Sequence, residues 1–229
     1  MSLGEIIGAG SRVYYRLENT NDAGPNGYNL TNNNSVAFNV GKFTNSADFG
    51  STGTNKGLTY AGANVLSSLE PTDVSVSFWY KLNDATTSNG NARFFELTTA
   101  SNNAAAMRIA CFYNISAGNI TITAFGQGVT SATVTVAADT NWHHILFRKI
   151  STNQMIILYD IGTSGTAASG AHTTSAFTLT YYLTIGNTTS TLTQQVFAMI
   201  DEFYIYEKNL GTDYLINKYY TQAKGRFCI

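Results

Sequence analysis

The sequence predicts an all-β fold, a two-sheet antiparallel β-sandwich with one short C-terminal helix, and three observations carry that expectation. Short apolar or alternating runs recur along the 229 residues, the pattern of strands buried on one face. Clusters of Asn, Gly, Ser and Asp punctuate those runs and supply turn chemistry. Charged residues make up only 12% of the chain, about half of the usual ~25%. Thr, Asn, Ser, Gly and Tyr fill the balance, which suits strands with neutral outer faces joined by tight turns.

In chain order the expected strands are "RVYYRL" (12–17), "SVAFNV" (35–40), "SADFG" (46–50), "KGLTYA" (56–61) and "VSVSFWYKL" (74–82). "ARFFELT" (92–98), "AMRIACFYN" (106–114), "NITITAFG" (119–126) and "ATVTVA" (132–137) follow. The last are 142–150, 154–160, "YYLTIG" (181–186) and "QQVFAMIDEFYIYE" (194–207). Turn signals separate them at "SNGN" (88–91), "SAGN" (116–119) and "STNQ" (151–154), where Asn and Gly tolerate the positive φ of tight hairpins. Pro25 and Pro71 both fall in loops. The helix is "GTDYLINKYYTQAK" (211–224), with Thr212 as N-cap and Leu215, Ile216, Tyr219 and Tyr220 on one face.

No repeat and no linker interrupts residues 1–229, so one domain is expected, long enough to bury its core without disulfides. Cys111 lies in the apolar run "MRIACFY" and reads as a buried thiol, while Cys228 is penultimate and a bridge between the two stays open. A formal net charge of −1 gives no footprint for nucleic acid or for an anionic membrane. No apolar run approaches a membrane span. The opening "MSLGEIIGAG" lacks the basic region and apolar length of a signal peptide. The expectation is therefore retention inside a cell, export by another route, or release by lysis.

"NWHHILFRK" holds two of the three histidines side by side. On a strand, His143 shares a face with Ile145 and Phe147, and His144 shares the other with Trp142 and Leu146. Adjacent strand residues do not converge on one ion, whereas zinc needs its ligands within about 2.0–2.3 Å. The pair reads as architecture, one histidine packed and hydrogen-bonded and the other at the surface.

The same stretch, with "IILYDIG" after it, resembles the laminin-G-like, concanavalin A-like lectin/glucanase jelly-roll family. "VYYRLENTNDAGPNGYNLT" resembles that family's opening strand and loop, "FNVGKFTNSADFG" and "SVSFWYKLND" the segments that follow, and "YYLTIGN" and "AMIDEFYIYEKNLGTDYLINKYY" its last strands and closing helix. The resemblance spans residues 12–221, with short terminal arms. It implies a concanavalin A-like jelly roll, a fold that hosts lectins, adhesion modules and hydrolases alike.

The resemblance also implies a structural Ca²⁺ held by Asp22 and Asp201, with Asn26 or neighbouring loop carbonyls completing the shell. Pro25 departs from the small polar residues usual in that loop. Asp201 has an argument of its own, because a carboxylate inside "VFAMIDEFYIY" needs a partner. The plainer reading has Asp22 capping a turn and Asp201 accepting backbone or Tyr hydrogen bonds. A glycosidase is disfavoured, because no Glu is followed two residues later by Asp and the neighbours Asp201 and Glu202 are expected to point apart. Aromatics make up 13%, and exposed Asn and Tyr between Tyr28 and Asn34 could rim a sugar site.

The expected function is non-catalytic, lectin-like recognition or adhesion, with a glycan or cell-surface ligand. The expected setting is extracellular or on a virion surface, as part of a phage or virus tail, fibre or capsid. The alternative is a purely structural decoration protein that meets neighbouring virion subunits or other copies of itself. Neither nucleic acid nor membrane insertion is expected.

Overall fold

The computed structural model describes residues 11–60, 62, 65–66, 74–98, 107–126, 131–150, 154–160, 167–171, 182–188, 192–207 and 210. Among them are fifteen strands. These are β1 (Val13–Tyr15), β2 (Thr31–Asn33), β3 (Ala37–Val40), β4 (Asn45–Asp48) and β5 (Gly57–Tyr60). Next come β6 (Val74–Leu82), β7 (Ala92–Thr98), β8 (Met107–Ser116), β9 (Asn119–Gly126) and β10 (Ala132–Ala137). The series ends with β11 (Trp142–Ile150), β12 (Gln154–Tyr159), β13 (Ala167–Ala171), β14 (Tyr182–Ile185) and β15 (Ala198–Tyr206). The helix expected at 211–224 and Cys228 lie outside the described residues.

One sheet of eight strands runs β13-β12-β11-β6-β15-β4-β3, with β1 also paired to β15; the other, of seven, runs β10-β9-β8-β7-β14-β5-β2. The pairings are antiparallel. Strands β4 and β1 share one edge of β15 end to end, β4 opposite Met199 and Ile200 and β1 opposite Phe203, Tyr204 and Ile205. The β8–β9 hairpin closes on Ala117 (φ 51°) and Gly118 (φ 74°), the two positive angles that suit the right-handed twist of its strands.

Alternation sends one side chain in two to the core. Phe78 is a hub there, with its ring centroid 5.3 Å from Phe94, 6.1 Å from Phe95 and 5.8 Å from Phe203. Phe95 meets Phe147 edge-on at 5.4 Å. Phe94 and Phe95 are consecutive yet both buried in this core, because β7 is irregular between Arg93 and Phe95 and a bulge lets two successive residues face one way. Cys111 is a fully buried thiol, and burial pushes its pKa up.

Two buried amides tie the loops. Gln195 donates to the carbonyls of Phe49 and Thr52 and accepts from the N–H groups of Thr54 and Lys56. Asn187 donates to Lys56 and Leu192 and accepts from Thr188 and Gln194. Each amide thus uses both ends of its hydrogen-bonding capacity, which is what full burial demands.

Candidate recognition site at the sandwich edge

The segment between β1 and β2 is rich in Asn, Asp and Gly and folds back on β1. The Asp22 carboxylate organises it. Oδ1 accepts from the N–H groups of Tyr14 (3.1 Å) and Gly24 (2.8 Å), and Oδ2 accepts from Tyr28 (3.0 Å). Ala23 donates to the Tyr14 carbonyl at 2.7 Å and Leu30 to that of Thr20 at 2.8 Å. Asn26 Nδ2 donates to the Arg12 carbonyl at 2.8 Å, and the Asp22 N–H donates to Asn29 Oδ1 at 3.0 Å. A short carboxylate that gathers main-chain donors is the usual reason for Asp in such a turn.

This folded loop presents Tyr28. Its ring lies 4.9 Å from that of Tyr60 at the end of β5, tilted by 43°. Both rings are half-exposed and pack on the rim of the core. Arg12 Nη2 donates to the Tyr28 hydroxyl at 2.6 Å and its Nε to the Val65 carbonyl at 3.2 Å, which fixes the plane of the guanidinium. The buried Tyr15 hydroxyl donates to the Tyr28 carbonyl at 2.5 Å. Around the aromatic pair the loop exposes Asn21, Asn26, Gly27 and Asn29. The patch can therefore offer a ring face for an apolar sugar face and amide groups for its hydroxyls.

The second cluster surrounds the histidines. His143 faces the sandwich interior, stacked on Tyr159 at 5.1 Å. Its Nδ1 stands 2.6 Å from Asp160 Oδ2 and its Nε2 2.9 Å from Asp139 Oδ1. Two carboxylate acceptors require both ring nitrogens to donate, which is the imidazolium form. His144 faces the opposite side, 1% exposed, with Nε2 2.8 Å from Ser77 Oγ and its ring 5.1 Å from Trp79. The alternation is as the strand period requires, but neither histidine stands at the surface.

The third cluster corrects an expectation. Asp201 and Glu202 do not point apart, because β15 shifts register between Asp201 and Tyr204 and Glu202 takes a positive φ of 49°. The bulge turns both carboxylates to the outer side of the sheet. Asp201 Oδ2 accepts from the N–H groups of Lys42 (2.9 Å) and Phe43 (3.2 Å). Burial, together with the neighbouring Glu202 charge, pushes the Asp201 pKa up to about 8. Glu202 accepts from the hydroxyls of Tyr14 and Tyr204, whose rings stack at 4.2 Å. At 1% and 7% exposure the pair lies beneath the surface.

Asp22, Asn26 and Asp201, the residues the resemblance assigns to one Ca²⁺, are not brought together. Tyr14 turns its N–H and C=O to Asp22 and Ala23, so Asp22 lies beyond β1 as seen from β15. Asp201 stands three positions from Tyr204, which pairs with Tyr14. The two carboxylates are engaged by different main-chain donors, Asp22 by Tyr14, Gly24 and Tyr28, and Asp201 by Lys42 and Phe43. Among the described residues no group of three or more His, Cys, Asp and Glu side chains is arranged to hold a metal.

The family model described as the Concanavalin A-like lectin/glucanases superfamily matches residues 52–214, more than half of the sequence. The chain belongs to that superfamily. No curated protein matches it in sequence. The binding domain of botulinum neurotoxin serotype C1 has a similar structure, with a TM-score of 0.67 at 13% identity, over 95% of this chain and 53% of that one. The binding domain of botulinum neurotoxin DC in complex with SialylT gives 0.64 at 15%, covering 95% and 52%. The same domain with rat synaptotagmin II gives 0.65 at 14%, again covering 95% and 52%. The superfamily member described here thus spans about half the length of these toxin domains, and the likeness is one of fold.

Of the residues in this patch, the sequence singled out for a sugar rim only those in the span Tyr28–Asn34, and not Arg12 and Tyr60. Both come from other segments, and only the closure of β1 and β5 around the loop joins them to it.

Proposed function

We propose that the chain is a non-catalytic recognition module that binds a cell-surface glycan over Tyr28 and Tyr60. The observation that carries this reading is the half-exposed, tilted tyrosine pair, held by Arg12 and rimmed by asparagine amides. Tyrosines are rigid, amphipathic contact groups whose rings suit a sugar's apolar face. The toxin binding domains of similar fold were solved with SialylT and with rat synaptotagmin II, and a cell-surface ligand for this chain accords with those partners. The buried Asp201–Glu202 pair supports a structural rather than a hydrolytic role, because a glycosidase exposes its carboxyls to the scissile bond. Display on a phage or virus particle is part of the proposal and rests on the sequence argument alone.

A glycan array, read with calcium and again with EDTA, tests it beside Tyr28→Ala and Tyr60→Ala. Saturable binding weakened at least about tenfold by either substitution is the expected result. Loss of binding in EDTA would bring calcium into the contact. Silence across the array overturns glycan recognition and favours a decoration role among virion subunits.

A further inference from the structure

Pro25-Asn26-Gly27-Tyr28 sits at the crest of the loop that carries the tyrosine patch. Asn26 and Gly27 are both exposed. Gly27 has φ +67°, and no heavy atom lies within 4 Å of the place a Cβ would occupy. Without a side chain at Gly27 and with open space in its place, the Asn26 side chain has room to approach the Gly27 nitrogen. The other asparagines of the loop, Asn19, Asn21 and Asn29, precede Thr20, Asp22 and Leu30, whose side chains crowd the same approach.

We propose that Asn26 is a spontaneous modification site, which converts to aspartate and isoaspartate through a cyclic imide with Gly27. Solvent base takes the Gly27 amide proton, and the nitrogen attacks Asn26 Cγ. The new C–N bond closes a five-membered ring while the Cγ–Nδ2 bond breaks and ammonia leaves with a proton from water. Water then adds to either imide carbonyl. Opening one C–N bond gives aspartate, and opening the other gives isoaspartate. No oxidant or cofactor enters.

The structure says what the conversion changes. Asn26 Nδ2 donates to the Arg12 carbonyl at 2.8 Å. An acid at position 26 has no N–H for that bond and sets a carboxylate oxygen against the carbonyl. It makes the formal net charge one unit more negative than −1 and adds a carboxylate to a loop that already holds Glu18 and Asp22. Isoaspartate also lengthens the main chain by one carbon just before Tyr28. The patch that Arg12 and Tyr28 form together thus changes with the age of the protein. The chemistry stands whether or not the patch binds a glycan.

A second Asn-Gly pair is an internal reference. Asn89 is half-buried where Asn26 is exposed, while its Nδ2 bond to the Thr193 carbonyl (2.7 Å) matches that of Asn26 to Arg12 and Gly90 is open like Gly27. The native protein is incubated at mildly alkaline pH, digested with trypsin and sequenced by mass spectrometry across residues 17–42. The expected result is an acid at Asn26, with isoaspartate the larger product, accumulating ahead of Asn89. In Asn26→Gln the peptide stays unconverted at that position, and Asn26→Asp reproduces the aged protein's shift on isoelectric focusing. An intact Asn26 at a time when Asn89 has converted overturns the proposal, as does conversion seen only after unfolding in urea.

Discussion

Across β11, His143 turns into the sandwich between Asp139 and Asp160, whereas His144 turns outward against Ser77 and Trp79. Burial alone lowers the pKa of either ring. At His143 the two carboxylates overcome it and hold the pKa above the usual histidine range. At His144 burial wins and pushes the pKa down to about 4. One residue step along a strand therefore separates a charged histidine from a neutral one. Side chain and local sequence are the same, so the face of the sheet decides the chemistry.

The largest test of that division is the packing of the two faces. Phe147→Ala removes an inner-face ring that meets Phe95 and is expected to lower the unfolding free energy by about 3–5 kcal/mol. Leu146→Ala on the outer face should cost less, about 2–3 kcal/mol, both read from denaturant midpoints at unchanged slope. Equal losses would show that the outer face packs as a second core.

Acidification comes next. The unfolded chain takes up a proton at His144 near pH 6.5, while the native ring resists protonation down to about 4. Stability should therefore fall across that window, by on the order of 3 kcal/mol from this residue. His143 acts in the opposite sense. Its contribution is fully present below about pH 6.5 and is lost as pH rises through its raised native pKa. Unfolding free energies measured across pH, with NMR titration of each ring, check both limbs.

Asp160→Asn should cost about 1–3 kcal/mol and lower the His143 pKa, since Asp160 accepts from the His143 ring and from the His144 N–H. The smallest effect belongs to Ser77→Ala, about 1 kcal/mol. It should leave His144 neutral at pH 7, because burial and not the hydroxyl depresses that pKa. A His144 that titrates near its ordinary value in this variant would contradict the assignment.

Much of the fold was readable before any coordinates. The bounds of β6, β7, β9, β10 and β11 coincide with the expected runs, because each is a long series of β-branched and aromatic residues between turn signals. Strand β2, "TNN", and strand β13, "AASGA", were not foreseen. Neither carries an apolar alternation, and their partners alone make them strands. The bulges were equally hidden, since nothing in "AMIDEFYIY" announces that Asp201 and Glu202 share a side. Of the tyrosine patch the sequence singled out only the span Tyr28–Asn34, because Arg12 and Tyr60 join it only through the strands that close around the loop.

The shared edge of β15 has a consequence for how the chain is made. Residues 13–15 wait for residues 203–205 before they gain a partner in the eight-stranded sheet, and residues 45–48, paired on one side with 37–40, wait for residues 199–200 to cover the other. At the ~5–20 residues per second of protein synthesis, that wait lasts roughly ten to forty seconds, and pairings this distant in sequence form slowly even afterwards. Until then Val13, Tyr15 and Ala47, all fully buried in the finished sandwich, lack their cover. The hazardous interval for this chain therefore falls on the ribosome, and slowing translation between β4 and β15 should reduce the yield of folded protein more than an equal delay after β15.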